Sequence, residues 1–185
     1  MTRRMLFGVL LVLAATTAGV LSQFGFGGSD KVQIASGSVS ALARAAHTGE
    51  ALPPSVLAYP FAARNFASAS GAGSRLLMTD GSLTLYAVPG KDGMLCLIEI
   101  DVVADTAGGA CADRSVLKTG SIYMADRQED GSRLVVGLVG DGPTYAQANG
   151  SRTRVENNAF VLRHVDGRDF VVGSPTASQT IELGD

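Results

Sequence analysis

From Arg75 onward the chain alternates between short apolar runs and small polar turn sequences. Asp-Gly and Asn-Gly pairs, which accept the positive φ angles of tight hairpin turns, begin at positions 80, 92, 130, 141, 149 and 166. Regular short strands with turns between them are typical of antiparallel β-structure. The runs that carry the strand pattern are SLTLYAV (82–88), MLCLIEIDVV (94–103), SIYMA (121–125), RLVVGLV (133–139), TYAQA (144–148), RTRVE (152–156), AFVLRHV (159–165) and DFVVG (169–173).

These runs predict a mainly β domain over residues 75–183, an antiparallel meander, sandwich or barrel-like fold of about eight short strands. The alternation also assigns faces, because successive side chains of a strand point to opposite sides. In SLTLYAV one face carries Leu83, Leu85 and Ala87, opposite Thr84 and Tyr86. In MLCLIEIDVV, Glu99 and Asp101 lie opposite an inward face formed by Cys96, Ile98, Ile100 and Val102.

Residues 1–28 have a different pattern, with Arg3 and Arg4 followed by an uncharged stretch that lasts until Asp30. A basic start, an apolar run and small residues are the layout of a signal peptide. The segment 5–26 also reaches the roughly 20 residues that cross a bilayer, so it alternatively predicts a single-pass anchor. Either interpretation places the rest of the chain in an extracytoplasmic location, secreted or anchored to the cell membrane.

Residues 29–74 are rich in alanine, proline and glycine and lack strand alternation. A helix that begins at Ser38 or Ser40 and ends near Ala46 is predicted by a capping serine and by Gly49 beyond its end. Proline suits the first turn of a second short helix, from about Ser55 to Phe66. We therefore expect a spacer with one or two short helices between the N-terminal segment and the β-domain.

The composition narrows the choice of partners. The chain is 46% hydrophobic, which suffices for a core, and it carries 15 basic against 17 acidic side chains, a net charge of −2. An acidic balance repels phosphate backbones, and the absence of tryptophan argues against a base-stacking platform. No nucleic acid is therefore expected as a partner. We expect the partner to be a cell-envelope protein or another envelope component, and we expect the N-terminal segment to contact the membrane.

The two cysteines, Cys96 and Cys111, predict one disulfide, because paired cysteines in an exported chain are usually oxidised. A glycine-bearing loop, 104–110, is expected to turn back and bring Cys111 to the strand that holds Cys96. A catalytic dithiol would show Cys-x-x-Cys, which is absent. Zinc would need His47 and His164 as further ligands, and their spacing matches no zinc motif.

No catalytic motif stands out, and neither a cofactor nor a metal is predicted. Neither a Gly-x-Ser-x-Gly elbow nor a phosphate-binding glycine loop is present. The pattern DRQEDG from Asp126 opens like a calcium loop, but Gly137 stands where the bidentate glutamate belongs. Three aspartates near the predicted disulfide loop, Asp101, Asp105 and Asp113, are the candidates for acid–base hydrolysis.

The stretches LYAVPGKDGMLCLIEI, AGGACAD, LVVGLVGDGPTYAQ and VENNAFVLR resemble uncharacterised exported proteins of actinobacteria. The shared features are a Tyr-x-x-Pro-Gly strand end and a Gly-x-Val-x-Asp-Gly hairpin, within residues 83–162; Pro143 departs from the pattern. The resemblance implies a secreted or anchored β-domain with a single disulfide and no assigned activity.

Together these patterns predict a non-enzymatic binding or structural module of the cell envelope. Two alternatives remain open: an envelope hydrolase that uses the three aspartates, and the outer sensory domain of a single-span protein.

Overall fold

A computed structural model describes residues 23–27, 35–47 and 49–184, and for 23–27 it describes the backbone alone. The strands and helices are short, as the turn spacing predicts. The helical elements are α1 (Ser40–Ala43), α2 (Pro54–Leu57) and α3 (Pro60–Asn65), with 3-10 turns at Lys91–Gly93 and Arg114–Lys118. The strands are β1 (Gln23–Gly27), β2 (Arg75–Asp80), β3 (Leu83–Pro89), β4 (Met94–Asp101), β5 (Thr106–Asp113), β6 (Ser121–Arg127), β7 (Arg133–Val139), β8 (Tyr145–Ala148), β9 (Ser151–Arg154), β10 (Ala159–Val165), β11 (Asp169–Gly173) and β12 (Ser178–Glu182).

The strands form three four-stranded antiparallel sheets, so the fold is mainly β. The front sheet is the meander β2-β3-β4-β5. The middle sheet has the order β1-β6-β7-β10, and the back sheet has the order β12-β11-β8-β9. The chain leaves the middle sheet after β7 to form the β8–β9 hairpin, returns for β10, and ends in the back sheet with β11 and β12.

Two apolar cores separate the three sheets. The front–middle core contains Leu85 and Leu97 from the front sheet and Met124 and Leu138 from the middle sheet. The middle–back core contains Phe160 from the middle sheet, with Phe170 and Ile181 from the back sheet. Both faces of the middle sheet are therefore buried. This explains why the residues of β7 after Arg133, LVVGLV, are apolar throughout, whereas β12 of the outer sheet alternates between exposed and buried residues.

A third apolar layer covers the outer face of the front sheet. Leu52, Val56, Ala62 and Phe66 of the helical segment pack on Tyr86, Val88, Cys96 and Ile98. Cys96 is fully buried, as predicted, but the apolar surface around it is this helix-covered layer. The predicted face of Leu83, Leu85 and Ala87 lies in the front–middle core. Tyr86, on the opposite face, is buried as well.

Eleven strands lie between residues 75 and 184, against about eight predicted, and the additional ones are β2, β5 and β12. Strand β5, TAGGACAD, contains residues 106–110 of the segment 104–110 that was expected to be a loop. Gly109 is required by close packing, because a Cβ atom on it would lie 2.5 Å from Cε1 of Phe61 and 2.7 Å from Cδ1 of Ile98. A glycine that argues against a strand in the sequence is thus the residue that admits Phe61 of helix α3.

One end of the front–middle core, which we call the closed end, is sealed by the segment before β2. Val39 and Ala41 are buried in the core, beside the fully buried Leu117 of the second 3-10 turn. Asp141 ties this segment down: its carboxylate accepts hydrogen bonds from Ser38 Oγ (2.8 Å), the Ser40 backbone N–H (2.9 Å) and Asn158 Nδ2 (2.8 Å).

The helical segment differs in detail from its prediction. Helix α1 is a single turn that ends at Ala43 rather than Ala46, and the second predicted helix is divided into α2 and α3 by Pro60. The predicted signal peptide or anchor lies outside the described residues, except that Gln23–Gly27 pairs with β6 as an edge strand. Among the described residues, no helix is both long and apolar enough to cross a membrane.

Candidate functional site

The opposite end of the sheets, which we call the hairpin end, is where the β2–β3, β4–β5 and β6–β7 turns lie. Arg163 of β10 joins two of the sheets here, because its Nη2 lies 3.0 Å from Oδ2 of Asp80 in the front sheet. The β4–β5 turn ends in Val102 and Val103, whose side chains are 65% and 83% exposed. Val102 was predicted to face inward, but β4 ends one residue before it.

Glu99 is a buried carboxylate at this end. It lies on the same face of β4 as Leu95 and Leu97 and therefore points into the front–middle core, with 8% of its surface exposed. No described residue donates a hydrogen bond to its carboxylate. The neighbouring position on β5 is Gly108, which has no side chain to fill the space beside it.

Burial raises the pKa of Glu99 to about 7, and the negative charges of Asp126 and Asp101 add to the shift while Arg163 opposes it. A carboxyl group with this pKa exchanges its proton near neutral pH. Among the charged groups of the front–middle core, Glu99 thus has the altered acidity that is common in functional sites.

The structure separates the three aspartates predicted as an acidic cluster. Asp101 ends β4, whereas Asp113 ends β5 opposite Met94. These positions are seven residues apart along the hairpin, about 24 Å in an extended strand. Asp105 lies in the β4–β5 turn with a φ of 52°. The three carboxylates therefore do not form one site.

Two of these aspartates stabilise turns. Asp101 Oδ1 accepts the backbone N–H groups of Val103 (2.9 Å) and Ala104 (3.1 Å), and hydrogen bonding from Ala104 lowers the pKa of Asp101. Asp113 Oδ1 accepts the N–H of Ser115 at 2.8 Å, and its hydrogen bonds with Ser115 lower the pKa of Asp113. Both carboxylates thus stay ionised at neutral pH, which suits turn caps and not proton donors.

The predicted disulfide between Cys96 and Cys111 is confirmed. The two residues are directly opposed on β4 and β5, and their Cα atoms are 4.0 Å apart. The bond lies in the helix-covered layer near the closed end. It joins neighbouring strands where the sequence suggested a strand and a loop.

A groove of about 280 Å³ opens on the other side of the middle sheet at the hairpin end. Its charged lining consists of Arg127, Arg133, Arg168 and Asp166. Arg127 and Arg133 are directly opposed across β6 and β7. Their side chains continue the face that carries Tyr123, Ala125 and Val135 in the middle–back core. Arg133 Nη1 donates a hydrogen bond to the Gly167 carbonyl oxygen at 3.3 Å.

The predicted histidines lie apart from each other. His164 sits where the β10 register shifts, with a φ of 56°, and its Nδ1 lies 3.3 Å from Asp130 Oδ2 near the groove. A left-handed conformation at a non-glycine residue beside a bulge is a strained feature that clusters at functional sites. His47 is exposed in a turn, where its backbone N–H bonds Glu50 Oε2 at 3.3 Å.

The prediction that Glu99 lies opposite the inward face of its strand is wrong, because apolar layers cover both faces of β4. The arginine groove was not predicted. The signal for Glu99 was present, because Leu95, Leu97 and Glu99 share one face of a strand whose other face is also apolar. The groove had no comparable signal, since its arginines come from β6, β7 and the β10–β11 turn. Only the sheet pairing brings them together.

Within the described part of the chain, no three histidine, cysteine or acidic side chains lie close enough to hold a metal ion. No protein-family model matches the sequence, and neither the curated proteins nor the solved structures give a significant match.

Proposed function

We propose that this chain is an extracytoplasmic, non-enzymatic binding module of the cell envelope, and that it contacts its partner through the hairpin end. The disulfide supports the compartment, because such bonds persist in oxidising environments outside the cytoplasm. Export as a secreted or an anchored protein, through residues 5–26, is part of the proposal.

The observation that carries the binding function is the exposure of Val102 and Val103. Among the described residues, these two and Tyr59 are the exposed large hydrophobic side chains. Apolar side chains at an exposed tip, rimmed by charged groups such as Asp101 and Arg163, are typical of a contact surface.

Crosslinking from intact cells tests this function. The full chain, produced with its own N-terminus in bacteria, would carry a photoreactive amino acid at position 103 or, as control, at Thr180 on the exposed side of β12. We expect the group at position 103, and not the group at position 180, to crosslink to one discrete envelope component. We also expect protease added to spheroplasts to digest the chain, because an exported chain lies outside the cytoplasmic membrane. Equal crosslinking from both positions, or protection from the protease, contradicts the proposal.

A further inference from the structure

The arginine groove holds a pair of like charges that the fold places face to face. Arg127 and Arg133 are opposed across the β6–β7 ladder, and like charges in this position destabilise a sheet. Arg127 has no hydrogen bond or ion pair with any described residue, and its side chain is exposed. An anion between the two guanidinium groups would remove this repulsion.

The groove is open and partly preorganised. Gly131 and Gly167 contribute no side chains to its lining, and a Cβ atom on Gly131 would meet nothing within 4 Å. The hydrogen bond to the Gly167 carbonyl holds one nitrogen of Arg133 and leaves other donors of the same guanidinium available. An ordered arginine loses less conformational entropy when it binds a ligand.

The acidic side chain among the lining residues, Asp166, lies at the side of the groove. Asn149 Nδ2 lies 3.4 Å from Asp166 Oδ2 and holds this carboxylate there. The opposed guanidinium groups of Arg127 and Arg133 are the donors that an anion in the groove would meet.

We propose that the arginine groove binds a phosphate group through Arg127 and Arg133. Guanidinium groups match phosphate oxygens with pairs of parallel hydrogen bonds, and a tetrahedral phosphate has more oxygens than a planar carboxylate with which to accept from two opposed guanidinium groups. This inference rests on the proposed binding function and names the chemistry of the ligand. The phosphate is free, esterified to a soluble polyol or carried by a lipid headgroup.

Calorimetric titration of the purified full chain tests the assignment with inorganic phosphate, with glycerol 3-phosphate and with vesicles of phosphatidylcholine with or without phosphatidic acid. Saturable binding of one of these supports the proposal, and the tightest ligand identifies the source. The variants Arg127→Gln and Arg133→Gln should each weaken binding about tenfold, as expected for a charge-assisted contact. Arg133→Lys keeps the charge and should still bind more weakly, because it lacks the planar fork.

The matched control is Arg114→Gln, which removes the same charge from an exposed position after β5 and should bind as the wild type does. Absence of binding at millimolar phosphate, or equal loss in this control, overturns the assignment. The two proposals can fail separately. A crosslinked partner without phosphate binding would contradict the phosphate assignment and leave the proposed binding function intact. Phosphate binding without export or a crosslinked partner would contradict the proposed envelope function and leave the phosphate site intact.

Discussion

The two ends of the front–middle core hold carboxylates in opposite circumstances. At the closed end, Asp141 accepts three hydrogen bonds and fixes the segment that seals the core. At the hairpin end, Glu99 is 8% exposed and no described residue donates to it. Burial alone would raise the pKa of Asp141, but hydrogen bonds from Asn158, Ser40 and Ser38 lower it overall. The pKa of Glu99 is raised.

This difference indicates which end is built for stability. The closed end combines the satisfied carboxylate with the nearby disulfide and the buried Leu117. The hairpin end combines Glu99, to which no described residue donates a hydrogen bond, with opposed arginines and exposed valines. Each of these features is unfavourable for folding, and local conflicts of this kind are expected where a protein keeps groups for function.

The largest effect is expected from Asp141→Ala. The substitution leaves the donors of Ser38, Ser40 and Asn158 without their acceptor. The segment that covers the closed end of the core then loses these hydrogen bonds. We expect a loss of about 4 kcal/mol in the free energy of unfolding, measured in urea, because each bond to a charged group contributes about 1.5 kcal/mol or more. Asp141→Asn keeps one acceptor oxygen and should lose about half as much. If Asp141→Ala unfolds at the same urea concentration as the wild type, the seal is not held by this residue.

The disulfide should have the next largest effect. The double variant Cys96→Ala and Cys111→Ala should lose about 3 kcal/mol, the loop-entropy estimate for a sequence separation of 15. Its affinity for phosphate should not change, because the bond lies near the closed end. Reduction of the wild type should give the same loss of stability, and a variant that is stable but no longer binds phosphate would show that the two ends are coupled.

Glu99→Gln should stabilise the protein at pH 8. Because the pKa of Glu99 is about 7 when folded and its ordinary value is 4.5, the wild type should lose stability as the pH rises between these values. The variant has no charge to bury and should exceed the wild type by about 2 kcal/mol at pH 8, with little difference at pH 4.

The control for this experiment is Glu129→Gln, an exposed glutamate in the β6–β7 turn, whose unfolding should follow the wild type at both pH values. A Glu99→Gln variant that is less stable than the wild type at pH 8 would mean that the ionised carboxylate has a stabilising partner.

The smallest effect on stability is expected at the β4–β5 tip. Val102→Ser with Val103→Ser removes exposed apolar surface and should change the free energy of unfolding by less than about 0.5 kcal/mol. Crosslinking through a photoreactive group at Ala104 should nevertheless fall sharply. Unchanged crosslinking would show that the valines do not contact the partner.

Much of the fold was predictable because turn dipeptides and apolar runs are local signals. Strands β7, β10 and β11 have the predicted bounds. Strand β5 was not predictable, because its Gly109 is explained by Phe61, which is distant in sequence. The disulfide was predicted from the number of cysteines and from the export signal in the N-terminal segment. The segment that was expected to be a loop between the two cysteines is part of strand β5 instead.

The site was less predictable, for a physical reason. Asp101, Asp105 and Asp113 are close in sequence, but an antiparallel hairpin places the ends of its strands far apart. Glu99 and Arg163 are distant in sequence and meet because two sheets stack. Residues that are brought together by sheet packing leave no local pattern in a single sequence.

An NMR titration of the side-chain carboxyl carbons tests the contrast between the two ends most directly, because it reads Glu99 and Asp141 in one sample. We predict that Glu99 titrates near pH 7 and that Asp141 titrates below its ordinary value of 3.8. A Glu99 carboxyl that titrates at or below 4.5 would contradict the account, because it would mean that the hairpin end satisfies its buried charge as the closed end does.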